Sequence, residues 1–190
     1  MSLTPPTTVQ KLHAALQAKA KGQPSCRFYA LYDKVYRVDV LVYAYELCRA
    51  NRGAPGVDGQ TFEAIEASGR NGWLSDLATE LKEKTYRPQA VRRVWIPKPN
   101  GKQRPLGIPT VRDRVVQQAL LLVIGPIFEA DLQPEQYAYR PDRSALDAVR
   151  AVHRLVNTGH TEVVDGDLSG YLDPASYCTP VHERSWKRVG

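Results

Sequence analysis

Residues 82–114 hold Lys82, Lys84, Arg87, Arg92, Arg93, Lys98, Lys102, Arg104, Arg112 and Arg114, opposed only by Glu83 and Asp113. A cation run of that density suits phosphate binding, with an affinity that falls as salt rises. The plainer alternative is a solvated basic face. Further on, Asp167-Leu168-Ser169-Gly170-Tyr171-Leu172-Asp173 puts a carboxylate at the end of an apolar stretch, followed by a turn and an aromatic residue. Alone, that heptapeptide is a modest signal, which many proteins contain by chance. His182-Glu183, with Cys178 four residues before the histidine, falls short of a metal site. Cys26, Cys48 and Cys178 are odd in number and far apart, so neither a disulfide framework nor a zinc site is indicated.

The composition sets outer bounds on these readings. With 190 residues, 43% hydrophobic and 24% charged, the chain has apolar material for one core or two small ones. Its net charge of +6 suggests a polyanionic partner without proving one. The longest apolar run, residues 115–127, is interrupted by Gln117, Gln118, Gly125 and Pro126, too short and broken for a membrane span. The first ten residues carry no basic start followed by an apolar stretch, so the expectation is a cytoplasmic protein with no membrane partner.

Periodicity gives the elements that must position these residues. Residues 1–30 read as a loose N-terminal extension with a short Ala-rich amphipathic helix over 12–20. Asp39 is the expected N-cap of a helix burying Leu41, Ala44, Tyr45 and Cys48 and stopping at Gly53. Pro55-Gly56-Val57-Asp58-Gly59 is a turn cluster, with a short helix over 61–66 after it. Trp73, Leu77 and Leu81 mark another helix, ending before Tyr86. Val94-Trp95-Ile96 is β-prone, a Pro-Asn-Gly turn follows, and residues 104–108 return, so residues 94–108 form a hairpin with basic edges. A long helix starts at Val111, runs through Val115, Ala119, Leu122 and Val123, and closes near Gly125-Pro126. After an irregular stretch, Ser144 caps a helix whose buried stripe is Ala145, Ala148, Val149, Val152 and Leu155, broken by Gly159-His160. Residues 161–168 read as a strand.

Four blocks, in order along the chain, resemble group II intron-type reverse transcriptases and maturases of bacteria. Asn51-Arg52-Gly53-Ala54-Pro55-Gly56-Val57-Asp58-Gly59 is similar to the block preceding the fingers. Residues 96–109, Ile-Pro-Lys-Pro-Asn-Gly-Lys-Gln-Arg-Pro-Leu-Gly-Ile-Pro, are similar to the fingers hairpin and run on into Val111-Arg112-Asp113-Arg114-Val115-Val116-Gln117. Tyr137-Ala138-Tyr139-Arg140-Pro141-Asp142-Arg143-Ser144 resembles the next block, and the Asp167 heptapeptide resembles the first catalytic motif. The resemblance covers about residues 31–173. It implies an α+β fold, mostly helical: fingers over 31–160 with a basic hairpin, then one strand of an incomplete palm over 161–173. Residues 174–190 form a tail unlike the family.

The resemblance also implies roles. Asp167 would be catalytic and, with the backbone carbonyl of Leu168, would hold magnesium, a hard ion that prefers oxygen ligands. Lys98 and Arg104 match residues contacting the triphosphate of an incoming deoxynucleotide, where an arginine binds phosphate oxygens in a bidentate way. Arg92, Arg93, Lys102, Arg112, Arg114, Arg140 and Arg143 would contact RNA, either intron RNA or a template-primer. At the position that screens the sugar 2′-hydroxyl the family has phenylalanine and this chain has Leu172, which puts that discrimination in doubt. The Tyr-x-Asp-Asp motif that supplies the second metal carboxylate is absent from the 190 residues. The expectation is therefore an RNA-directed DNA polymerase fragment, truncated and inactive as it stands, or else an RNA-binding maturase-like module.

Overall fold

A computed structural model describes residues 3–23, 25–97, 99, 101, 103–140, 142–160, 162, 164 and 166. The chain divides into two compact units, Met1–Gln136 and Tyr137–Gly190.

In the first unit, α1 (Thr7–Gly22), α2 (Tyr32–Val35), α3 (Val38–Ala50), α4 (Phe62–Ser68) and α5 (Arg70–Glu83) precede a two-stranded antiparallel sheet, β1 (Arg92–Pro97) and β2 (Gln103–Ile108). Helix α6 (Val111–Asp131) follows and packs against α1 and α3. The second unit contains α7 (Ala145–Asn157). The described residues are thus mostly helical with one small sheet, an α+β arrangement.

The core lies where the apolar periodicity of α3, α5 and α6 converges. Leu41, Ala44, Tyr45 and Cys48 of α3 are buried with Leu77 and Leu81 of α5 and with Val115, Ala119, Leu122 and Val123 of α6. Tyr45 is its largest fully buried side chain and meets Phe62 and Trp73 edge-on at 5.4 Å and 5.9 Å between ring centroids. Its hydroxyl donates to Glu66 at 3.1 Å, so the buried phenol is not left without a partner. Burial, and then Glu66, push its pKa up to about 12. Gly69, at φ +101°, ends α4 and starts α5, a left-handed conformation that costs glycine no Cβ clash.

Four expectations from sequence need correction. The N-terminal residues are not a loose extension: Val9, Leu12, Leu16 and Ala20 of α1 recur every three or four residues and are buried, with α1 packed on α6. Asp39 is not the N-cap of α3, a position held by Arg37. It stands in the first turn, where it accepts from Arg37 Nε at 3.0 Å and Nη2 at 2.7 Å. Helix α6 does not close at Gly125-Pro126 but runs through to Asp131. Proline at that point removes one backbone donor, a cost of about 3 kcal/mol, and Ile127, packed against the core, holds the following turn in helical register. The stripe of α7 is not buried: Ala145, Val149, Val152 and Leu155 are exposed, Val149 at 62%, and Ala148 is half-buried. The helix itself stands as expected, because Ser144 Oγ accepts from Asp147 N at 3.2 Å and Asp147 Oδ2 accepts from Ser144 N at 3.1 Å.

The strand expected over residues 161–168 falls mostly outside the described residues, and the tail 174–190 falls wholly outside them. Among the described residues, no helix is long and apolar enough to cross a membrane.

Candidate nucleic-acid interface

The hairpin pairs β1 with β2 in a regular antiparallel register. Arg92 pairs with Ile108, Val94 with Leu106 and Ile96 with Arg104, which puts these six side chains on one face. Arg93 opposite Gly107, Trp95 opposite Pro105 and Pro97 opposite Gln103 make the other face. Between the strands, Gly101 stands at φ +77°. Arg92, Arg93 and Arg104 are all exposed, as are Val94, Trp95 and Leu106. Two strands exposed on both faces are marginal by themselves in water, so the hairpin depends on how its base is anchored.

Asp113 supplies that anchor. It is only 3% exposed and stands in the first turn of α6. Its carboxylate accepts from the Tyr86 hydroxyl, from Thr110 Oγ1 at 2.8 Å and from the Gln89 backbone N–H at 3.3 Å. Thr110 is at the same time the N-cap of α6, its hydroxyl accepting from Asp113 N at 3.1 Å. One buried carboxylate therefore ties the approach to β1, through Tyr86 and Gln89, to the exit from β2, through Thr110. Burial first, and then the Asp113 carboxylate, raise the Tyr86 pKa well above that of a free phenol.

The turn cluster before α4 is fastened to the same place. A Cβ on Gly56 would stand 2.6 Å from both Cα and N of Thr110. Arg114 donates from Nη2 to the Ala54 carbonyl at 2.9 Å and lies over the Phe62 ring at 5.5 Å. Cys48 Sγ sits 3.5 Å from the Arg114 carbonyl, and burial pushes that thiol's pKa up to about 11, the state of an inert structural cysteine. The block 51–59 and the block after the hairpin, sixty residues apart in sequence, thus meet at the start of α6.

That meeting divides the residues expected to bind nucleic acid or, for Arg104, the nucleotide triphosphate. Arg92, Arg93 and Arg104 project from the hairpin. Arg112 and Arg114 are engaged within the protein. Arg112 Nη2 lies 2.5 Å from Glu80 Oε1, an ion pair off the line of its N–H bonds, so that no regular hydrogen bond forms. In the second unit Arg143 is exposed and lies over the Tyr137 ring at 5.6 Å, and Arg140 is half-buried. Lys98, Lys102, Asp167, Leu168 and Leu172 lie outside the described residues. Among the described residues, no group of three or more His, Cys, Asp and Glu side chains could hold a metal ion.

Sequence reasoning missed Glu80, Tyr86 and Gln89 and gave Trp95 no role beyond a β-prone residue. The available signal was Asp113, an acid inside a run of cations.

Several known proteins match most of this chain. Protein YkfC of Escherichia coli (strain K12) is 39% identical over 171 residues, 87% of this chain and 45% of its own length. The group II intron-encoded protein LtrA of Lactococcus lactis subsp. cremoris is 32% identical over 155 residues, 80% of this chain and 25% of its own. The homologues of this chain are group II intron-encoded reverse transcriptase/maturases. Nuclear intron maturase 2, mitochondrial, of Arabidopsis thaliana adds 39% identity over 62 residues, a third of this chain. The chain spans less than half the length of these relatives. No protein-family model matches it.

Proposed function

We propose that this chain is an RNA-binding module of the group II intron reverse transcriptase/maturase family, corresponding to the fingers, which grips intron RNA or a template-primer with its β1–β2 hairpin. The observation that carries this reading is the placement of Arg92, Arg93 and Arg104. All three are exposed on a hairpin fixed at its base by Asp113, and no acidic residue occurs between Lys84 and Arg112. Among the described residues these cations have no carboxylate partner, and cations so held on a defined element favour a polyanion. The names of the relatives, intron-encoded proteins and intron maturases, favour RNA as that polyanion.

The finer roles extend the same reading. When a deoxynucleotide is bound, Arg104 and Lys98 are assigned to its triphosphate; Asp167 and Leu168 are assigned to magnesium, and Leu172 to the position facing the sugar 2′-hydroxyl. Two-metal nucleotide addition draws carboxylates from two motifs, and these 190 residues contain one of them. The 190-residue polypeptide is therefore expected to bind RNA without extending a primer.

Filter binding of RNA at several salt concentrations tests the first half, and primer extension with magnesium and four deoxynucleotides tests the second. The reading expects salt-sensitive binding, with a slope of about −0.7 per single-strand phosphate neutralised, and no extension. Salt-independent binding contradicts the phosphate assignment. Extension that disappears in Asp167→Asn contradicts the assignment of inactivity.

A further inference from the structure

The hairpin face opposite Arg92 and Arg104 carries Val91, Arg93 and Trp95 on one strand side and Gln103, Pro105 and Gly107 on the other. Trp95 is 54% exposed. That is unusual for the residue with the most apolar surface to gain by burial. Trp73, by contrast, packs on the core and donates its indole N–H to Gln60 at 3.2 Å. Trp95 sits in the middle of β1, paired across the strand with Pro105, so its indole is held by a regular ladder rather than a loop. Its surroundings are basic: Arg92 and Arg93 precede it, Arg104 precedes its cross-strand neighbour, and no carboxylate occurs from Lys84 to Arg112.

We infer that Trp95 is a stacking platform for an unpaired RNA base, with Arg93, two residues back on the same face, taking the adjoining phosphate. The inference rests on the proposed RNA-binding reading and names the chemistry of its second face. An aromatic ring beside a cation on an exposed sheet is the arrangement by which single strands are held without sequence readout, since every base has a π-face. Two residues along a strand span about 6.6 Å, within the reach of an arginine side chain. A duplex hides its base faces in the stack, so the occupant is single-stranded RNA.

The experiment uses the full chain and two probes, an oligouridine and an abasic strand of the same length and charge, each titrated at low and moderate salt. Trp95→Ala should weaken oligouridine binding on the order of 5- to 100-fold while leaving the abasic strand unchanged. Trp95→Phe, which keeps a ring, should retain most of the affinity. Oligouridine should quench tryptophan emission of the wild-type chain, and the quenching should be lost in Trp95→Phe. If Trp95→Ala fails to fold, the quenching and the Phe variant decide alone. Equal binding of the oligouridine and the abasic strand by the wild-type chain, or quenching that survives in Trp95→Phe, overturns the stacking role and leaves the phosphate-binding reading intact. Absence of salt-sensitive binding to either strand overturns that reading, and the stacking role with it.

Discussion

A Cβ added to Gly53 would stand 2.0 Å from Nη1 of Arg114. The arginine occupies the space a side chain would need, and it is held there by the Ala54 carbonyl and the Phe62 ring. Three residues on, the contact becomes backbone on backbone, at Gly56 against Thr110. The two glycines should therefore differ on substitution. In Gly53→Ala the flexible guanidinium can shift, losing its hydrogen bond at a cost of about 1–2 kcal/mol. In Gly56→Ala the helix N-cap itself must move, and about 2–3 kcal/mol is expected. Urea unfolding of both variants checks the order; a larger loss at Gly53 would show that Thr110 does not fix the loop.

The Asp113 hub predicts a second pair of losses. Tyr86→Phe removes one donor to a buried carboxylate and should cost about 2 kcal/mol. Asp113→Ala strands the Tyr86 hydroxyl, the Thr110 hydroxyl and the Gln89 N–H together and should cost about 3 kcal/mol or more. Because the hub joins both ends of the hairpin to α6, Asp113→Ala should also increase amide exchange in β1 and β2 beyond the change in global stability. Unchanged protection there would mean that the strands are held by something else.

Stability should fall at both ends of the pH range. The His13 pKa lies below 6.5 because of burial, partly offset by the Leu122 carbonyl. That carbonyl has no donor within α6, since Pro126 has no N–H to give it, and the buried Nε2 of His13 has no partner of good geometry. A group with a depressed folded pKa binds more protons when unfolded, so its contribution is present above pH 6.5 and is lost as pH falls. Tyr45 has the opposite sign. Its pKa rises from 10.0 to about 12, so its contribution is complete below pH 10 and is lost as pH climbs toward 12. Thermal unfolding from pH 5 to 11 should show both declines, and His13→Gln should flatten the acid one. An acid limb unchanged in His13→Gln would show that the histidine does not cause it.

Much of this was legible in the sequence because it depends on local spacing. The hairpin follows from β-prone residues around a Pro-Asn-Gly turn, and the buried residues of α3 and α6 follow from the 3.6-residue period. What was not legible depends on pairing across distance. The run 82–114 counts ten cations, but counting cannot show that Arg112 meets Glu80 or that Arg114 spans back to Ala54. The stripe of α7 reads as core because periodicity marks a face without naming what covers it. Pro126 reads as a stop because the anchoring of Ile127 lies outside its local sequence. Asp113 was visible as an acid among cations, and its burial was not.

In the proposed function, RNA is held by the cations of the hairpin and not by the whole basic run. The most direct measurement is the slope of log affinity against log salt for single-stranded RNA, in the wild-type chain, in Arg92→Gln/Arg93→Gln/Arg104→Gln, and in Arg112→Gln. That placement of the contacts predicts a slope shallower by about 2 in the triple variant, from three lost phosphate contacts at about 0.7 each, with stability unchanged. It predicts an unaltered slope in Arg112→Gln, whose partner is Glu80. A triple variant with the wild-type slope, or an Arg112→Gln slope reduced as much as that of the triple variant, would contradict it.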